Sequence, residues 1–188
     1  MPTKTRGSRT RNHHASRKNP KLQGVSSELS LSHEREDNLI KTLKENFPTD
    51  IKDATVMRRS RINVTVAPEK ILDIALFLRD KLGFDHPTGV SAVDYNRESR
   101  FEIVYHLASI ANPAQRDILI NLKESVPRNT PKATSLVRIW TGVENFERES
   151  IEMFGLQFEG HPRPEKLFLN DNWDGPPPMR KEVRFPTD

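Results

Sequence analysis

The apolar positions of this chain fall into blocks with two different periods. From Ser32 to Phe47, Leu39, Ile40 and Leu43 recur at helical spacing among charged residues, with Glu34, Glu36 and Asp37 at the start and Lys41 and Lys44 later. Ser32 can cap such a helix, the charge order complements its dipole, and Pro48 stops it. From Ala54 to Ala67 the period drops to two, around Arg58-Arg59-Ser60-Arg61, which predicts two short strands or one long bent strand. Pro68 to Leu82 returns to helical spacing. Ile71, Ile74, Ala75, Leu78 and Leu82 make the inner face, Leu72, Leu76 and Phe77 widen it, and Gly83 ends it. Three strands then follow. They are Val90 to Tyr95, Arg100 to Ile110 after a polar turn at Asn96–Ser99, and a third carrying Ile118, Ile120 and Leu122. Pro127 to Pro131 reads as a polar loop.

This order predicts an α+β fold: a two-layer sandwich of a mixed sheet with helices on one side. The expected organisation is a tail at 1–31, a core at 32–139, a helix and loop at 140–169, and an extended arm at 170–188. With 188 residues, one compact domain plus tails is expected.

Charge is unevenly distributed. Lys4, Arg6, Arg9, Arg11, Arg17, Lys18 and Lys21 all precede the first acid, Glu28. The chain has 30 Lys and Arg against 26 Asp and Glu, so without those seven cations 23 face 26. The body is slightly acidic, and the high pI belongs to the tail. Such a polar segment cannot offset its ordering entropy, so disorder is expected there. A basic arm could contact phosphates or anionic lipid, and its Arg and Ser content suggests a transit peptide, but it lacks an apolar face. The favoured expectation is a solvated extension that docks on a neighbouring subunit. His13-His14 has no third ligand nearby and is a weak metal signal. The three arginines at 58, 59 and 61 read as a charged sheet edge rather than an anion site.

Cysteine is absent, which excludes disulfides, thiolate zinc sites and cysteine-ligated clusters within the chain. The longest apolar run, Ile71 to Leu78, is interrupted by Asp73, so no direct membrane span is expected. No phosphate loop, dinucleotide fingerprint or nucleophile elbow occurs. His106 falls opposite the apolar row of its strand, while His86 and His161 precede prolines in expected loops. No catalytic, cofactor-binding or metal-binding residue can be named, and the class of function expected is binding.

One block is too specific for composition to explain. Around Glu147-Arg148-Glu149-Ser150-Ile151-Glu152-Met153-Phe154-Gly155, a helical projection places Val143, Phe146, Ser150, Met153 and Phe154 on one arc. Glu147 falls inside that arc, with Glu144, Arg148, Glu149 and Glu152 pointing elsewhere. An acid on a packing face is costly unless a cation or strong donors meet it, and a cation is expected for Glu147.

With Trp140-Thr141-Gly142-Val143 before it and Gly160-His161-Pro162 after it, this block resembles the thirty-kilodalton subunit of respiratory complex I, the NADH:quinone oxidoreductase. That family has cousins in membrane-bound hydrogenases and deazaflavin-dependent dehydrogenases. The residues that match its signature are Glu147, Arg148, Glu149, Glu152, Phe154, Gly155 and His161. Leu167-Phe168-Leu169, Trp173 and Pro178-Met179-Arg180-Lys181 look like its later elements. Glu165, Asp171-Asn172-Trp173 and Glu182-Val183 depart from the usual pattern and leave the electron donor open.

The resemblance implies a peripheral-arm subunit without a cofactor of its own, on the cytoplasmic face of a membrane. Its implied partners are a large, nickel-site-derived subunit and a small cluster-bearing subunit. The whole complex would carry iron–sulfur clusters, reduce quinone and translocate ions. A hydrogenase subunit is the alternative, and a nucleic-acid-binding protein that uses the basic tail is a less favoured one. Pro176-Pro177-Pro178 among Trp173, Met179, Phe185, Arg180, Lys181 and Arg184 then reads as an arm laid across a partner and ordered only there.

Overall fold

In the computed structural model, residues 33–184 are described. The expected tail at 1–31, the Ser32 cap and Phe185 lie outside them.

Helix α1 runs Glu34–Asn46 and is followed by a hairpin of β1 (Ile51–Arg58) and β2 (Arg61–Val66). The two strands are antiparallel, and Ser60 turns the chain between them with φ of 62°. After a short 3₁₀ turn at Pro68–Lys70 comes α2 (Ile71–Asp80), with Gly83 beyond it at φ of 76°. The proline thus opens the segment in a 3₁₀ turn, and the α-helix proper is shorter than the expected Pro68–Leu82.

Strands β3 (His86–Tyr95), β4 (Arg100–Ala108) and β5 (Leu119–Pro127) then form an antiparallel meander. The strand limits differ from expectation, β1 starting at Ile51 and β5 running on to Pro127, and more tellingly at three further places. β3 starts at His86, so this histidine lies in a strand, not in a loop. β4 stops at Ala108, which leaves Ile110 exposed, and Ile118 packs in the core just ahead of β5.

The sheet order is β1-β2-β5-β4-β3. Only the β2–β5 junction within it is parallel, since α2 and the meander carry the chain across before β5 returns beside β2. The sheet is therefore mixed, as expected. Two elements were not legible: β6 (Lys132–Thr134) and β7 (Gln157–Glu159) form a small parallel pair. They bracket α3 (Glu144–Phe154), which a 3₁₀ turn at Thr141–Val143 introduces.

One sheet face carries the core. Ile62, Val64 and Val66 on β2, Phe101, Ile103, Tyr105 and Leu107 on β4, and Ile120 and Leu122 on β5 are buried. Leu39 and Leu43 of α1, Ile71, Ile74 and Leu78 of α2, and Val143 and Phe154 at α3 join the same cluster. All three helices thus cover one face.

The opposite face is polar, with a hydrogen-bonded row across four strands. Ser91 Oγ lies 3.0 Å from His106 Nε2, His106 Nδ1 lies 2.8 Å from Asn121 Oδ1, and Asn121 Nδ2 donates to Asn63 Oδ1 at 2.8 Å. His106 is a half-buried member of this row. The alternation of apolar and polar positions along β4 thus separates the core face from the polar face.

Candidate docking site at the last helix

Glu147 is fully buried on the inner face of α3. Its Oε1 accepts hydrogen bonds from Tyr105 Oη at 3.0 Å and Leu136 N at 2.9 Å, and its Oε2 accepts from Ser135 Oγ at 2.6 Å. The expected cation is therefore replaced by three neutral donors drawn from β4 and the segment after β6. Burial holds the carboxyl's pKa above its ordinary value, and these hydrogen bonds, with His161 nearby, offset only part of that rise. Tyr105, beside the same acid and fully enclosed, is pushed well above the usual phenol range.

Glu152 was expected off the packing face, yet it is buried. The chain after β7 folds back over it, and its carboxylate accepts from the backbone N–H groups of Leu167 (3.2 Å), Phe168 (2.8 Å) and Leu169 (2.8 Å). One carboxylate therefore fixes three successive residues of a loop with charge-assisted bonds. Arg148, one helical turn earlier, donates to the carbonyls of Glu165 (3.2 Å) and Lys166 (2.9 Å). Lys166 in turn donates to the carbonyl of Trp173 at 2.9 Å, so half-buried Trp173 is tied to the same loop.

His161 is buried, with Nε2 3.0 Å from the carbonyl of Glu144 and Nδ1 3.1 Å from Arg163 N. Both contacts are met if Nε2 carries the proton. Glu149 alone among the acids of the signature points to solvent.

The C-terminal segment closes over the end of α3. Met179 N donates to the carbonyl of Met153 at 3.0 Å, and Arg180 Nε donates to that of Phe154 at 2.8 Å. These are carbonyls that a helix end leaves without an internal partner. Gly155 makes the close approach feasible. Its φ is 69°, and a Cβ there would lie 2.9 Å from both Pro177 Cγ and Arg180 Nη2. The Phe154 ring meets Phe101 edge-on at 6.2 Å, and the guanidinium groups of Arg180 and Arg128 lie 5.5 and 5.7 Å from the Phe101 centroid.

Lys181 is placed by its backbone: its N–H donates to Asp94 Oδ2 at 2.9 Å, and Asp94 also takes two bonds from Arg128 at 2.9 and 3.1 Å. Burial alone would push Asp94 up, but Arg128 and the Lys181 N–H outweigh it and hold the carboxyl below its usual range. Glu182 pairs with Arg128 as well. An acid at 182, which departs from the usual family pattern, thus has a partner within the chain. Residues 170–184, expected to gain order only on a partner, have their own anchors on α3 and β3.

Sequence reasoning placed the helix and its signature but not the residues that answer them, Tyr105, Ser135, Asp94 and Arg128, nor the buried acid Glu124. Two of these left a trace. The two-residue period Ile118, Ile120, Leu122 lands next on Glu124, and the inward register of β3 lands on Asp94; both are buried. Among the described residues no group of three histidines or acids could hold a metal ion. The carboxylates here are engaged with backbone and hydroxyl groups, so the chemistry this site performs is holding chain segments in place.

Fold and site together define a small α+β domain that uses buried acids to fix an extended C-terminal strap. The chain belongs to the family described as the 30 Kd subunit of respiratory-chain NADH dehydrogenase, whose model matches residues 64–188. It is 42% identical over 128 residues to the NADH-quinone oxidoreductase C subunit from Roseiflexus sp. (strain RS-1), covering 66% of this chain and 71% of that one. It is 34% identical over 149 residues to the C subunit of the F(420)H(2) dehydrogenase of Methanosarcina mazei, covering 79% of this chain and 92% of that one.

Among solved structures, a chain of the membrane-bound sulfane sulfur reductase, an archaeal respiratory membrane complex, superposes with a TM-score of 0.70 at 25% identity. The superposition covers 80% of this chain and 86% of that one. A trypsin-resistant fragment of Nqo5 shares the fold, with a TM-score of 0.55 at 23% identity over 69% of this chain and 98% of the fragment. As a member of this family the chain is a subunit with partner subunits. The comparisons favour complex I-type relatives, and a hydrogenase subunit has no better support.

Proposed function

We propose that this chain is a non-catalytic peripheral-arm subunit of a complex I-type oxidoreductase. Such a complex would pass electrons from NADH or another reduced carrier to quinone, coupled to ion translocation. In this reading the chain scaffolds the large subunit and the small cluster-bearing subunit on the cytoplasmic face of the membrane. It brings no cofactor, and the complex carries the iron–sulfur clusters and the quinone. No helix among the described residues is long and apolar enough to cross a membrane, so membrane association in this reading runs through partners.

One observation carries the docking role. Phe168 and Met179 are 65% and 54% exposed, although their backbones hang from adjacent residues of α3, Glu152 and Met153. Large apolar side chains on such fixed supports are prepared for a partner, because their ordering cost is largely met before contact. Exposed Glu149 and the cations Arg163, Lys166 and Lys181 supply a polar rim. The family signature therefore acts at one remove: Glu147, Arg148, Glu152, Gly155 and His161 shape the support, and the loop and strap make the contact.

The test is affinity purification of the tagged chain with its large subunit from solubilised membranes. Replacing both Phe168 and Met179 by serine, which touches no anchor, is expected to release the large subunit while the free chain keeps its melting temperature. Ending the chain at Asn170 is expected to release the large subunit as well, at some cost in stability because the bonds to Met153, Phe154 and Asp94 go with it. Undiminished co-purification of both variants would overturn the docking assignment.

A further inference from the structure

Glu124 stands apart from every contact described so far. It lies in β5, the strand between β2 and β4, and it points into the core, in register with Ile103 and between Leu122 and Val126. Its side chain is fully buried, and neither carboxylate oxygen has a hydrogen-bond partner. A charged carboxylate in that position would have lost its hydration and gained nothing in return. The docking role uses none of its chemistry.

The ionisable groups around it deepen the cost. Glu147 faces it from α3, Tyr105 from β4, and Glu69 from the 3₁₀ turn; all three are acids, and Glu147 and Glu69 repel its charge. The nearby cations are turned elsewhere. Lys123 emerges on the opposite sheet face beside Glu102 at 3.6 Å, Lys70 pairs with Asp73 at 3.0 Å, and Lys132 of β6 lies 3.8 Å from Glu159 at the surface. His161, which acts on Glu147, donates to the Glu144 carbonyl. Glu147 has the three donors, so negative charge settles on Glu147 before Glu124.

We propose that Glu124 is held as the neutral acid in the folded domain beside Glu147, so that the junction between the sheet and the signature helix weakens as pH rises from mildly acidic to mildly alkaline values. The Glu124 carboxyl, raised by burial first and by Glu147 and Glu69 after it, titrates at about 8 against an ordinary 4.5. The folded domain therefore holds a proton that the unfolded chain has released. Stability falls as pH rises from the unfolded pKa toward the folded one, and the loss levels off above it. The element that loosens is α3, with the loop and strap it carries.

Thermal melting of the full chain and of its Glu124→Gln variant across pH 5 to 9 tests this. The glutamine has the same shape and cannot ionise. Its melting temperature is expected to gain on wild type by roughly 10 °C from pH 5 to pH 8 and by little more beyond. Hydrogen-exchange protection in 144–154, taken relative to the intrinsic base-catalysed rate at each pH, should fall between pH 6 and pH 9 in wild type and not in the variant. A melting difference that stays constant with pH overturns the proposal. So does an infrared spectrum of the wild-type chain at pH 7 with no protonated carboxyl absorption, a readout that needs no variant to fold.

Discussion

A buried carboxylate is tolerated only when donors replace its water, and Glu147 shows how selective that replacement is. Its two oxygens take three bonds, from Tyr105, Ser135 and Leu136. Replacing Glu147 by alanine would strand two hydroxyls and a backbone N–H in a dry site, at about 3 kcal/mol. Glutamine keeps one acceptor oxygen, which can serve Tyr105 and Leu136, and its amide meets a Ser135 hydroxyl able to rotate. The expected cost is about 1 kcal/mol. Chemical denaturation of the two variants should give that order, with alanine well below glutamine; equal losses would mean that the hydrogen bonds contribute little. The sequence made Glu147 visible as an acid on an apolar arc, because helical periodicity is a local property. It could not supply the donors, since Tyr105 lies 42 residues away and meets Glu147 only when β4 and α3 face each other.

At the scale of the element, the last turn of α3 is a fixture for chain that follows it. Three consecutive residues hold two separate segments: Glu152 takes the loop at Leu167–Leu169, while the carbonyls of Met153 and Phe154 take Met179 and Arg180. Gly155 is the steric condition for the second of these. An alanine at 155 would meet Pro177 and Arg180 at 2.9 Å and hold a backbone angle of 69° that side chains resist. Gly155→Ala should lift the strap from α3 and cost about 1 to 2 kcal/mol. Trypsin should then cleave after Arg180 or Lys181 faster than in wild type, while α1, α2 and the sheet stay protected; an unchanged cleavage rate would mean that the strap is held by Asp94 and Arg128 alone. Elements with a clear period were legible, among them α1, α2, β4 and β5. The strap was legible as extended chain from its prolines but not in its seat, which is made of backbone carbonyls and of Asp94, 87 residues from Lys181. β6 and β7 escaped notice because three-residue strands separated by a helix carry no period of their own.

For the molecule as a whole, the basic character reported by the total charge misleads about the chain beyond its first 21 residues. Seven of 30 cations precede the first acid, and what remains is slightly acidic. Within the described residues many arginines are already engaged: Arg35 with Asp117, Arg79 with Asp80, Arg100 with Glu98 and Glu102, Arg128 with Asp94 and Glu182, and Arg163 with Glu144. Cations paired in this way release few counterions to a phosphate backbone, so the body offers a nucleic acid little affinity. Any such binding would belong to residues 1–31. Removing those residues should abolish binding to double-stranded DNA at low salt and leave co-purification with the large subunit intact, because Phe168, Met179 and their supports lie in the part that remains. If the shortened chain instead loses its partner and keeps its DNA affinity, the interaction surface lies in the tail and the strap is only a seal on α3. Intact chain whose DNA binding fades steeply with added salt, beside a shortened chain that binds no DNA yet keeps its partner, would assign DNA binding to the tail and partner recognition to residues 32–188.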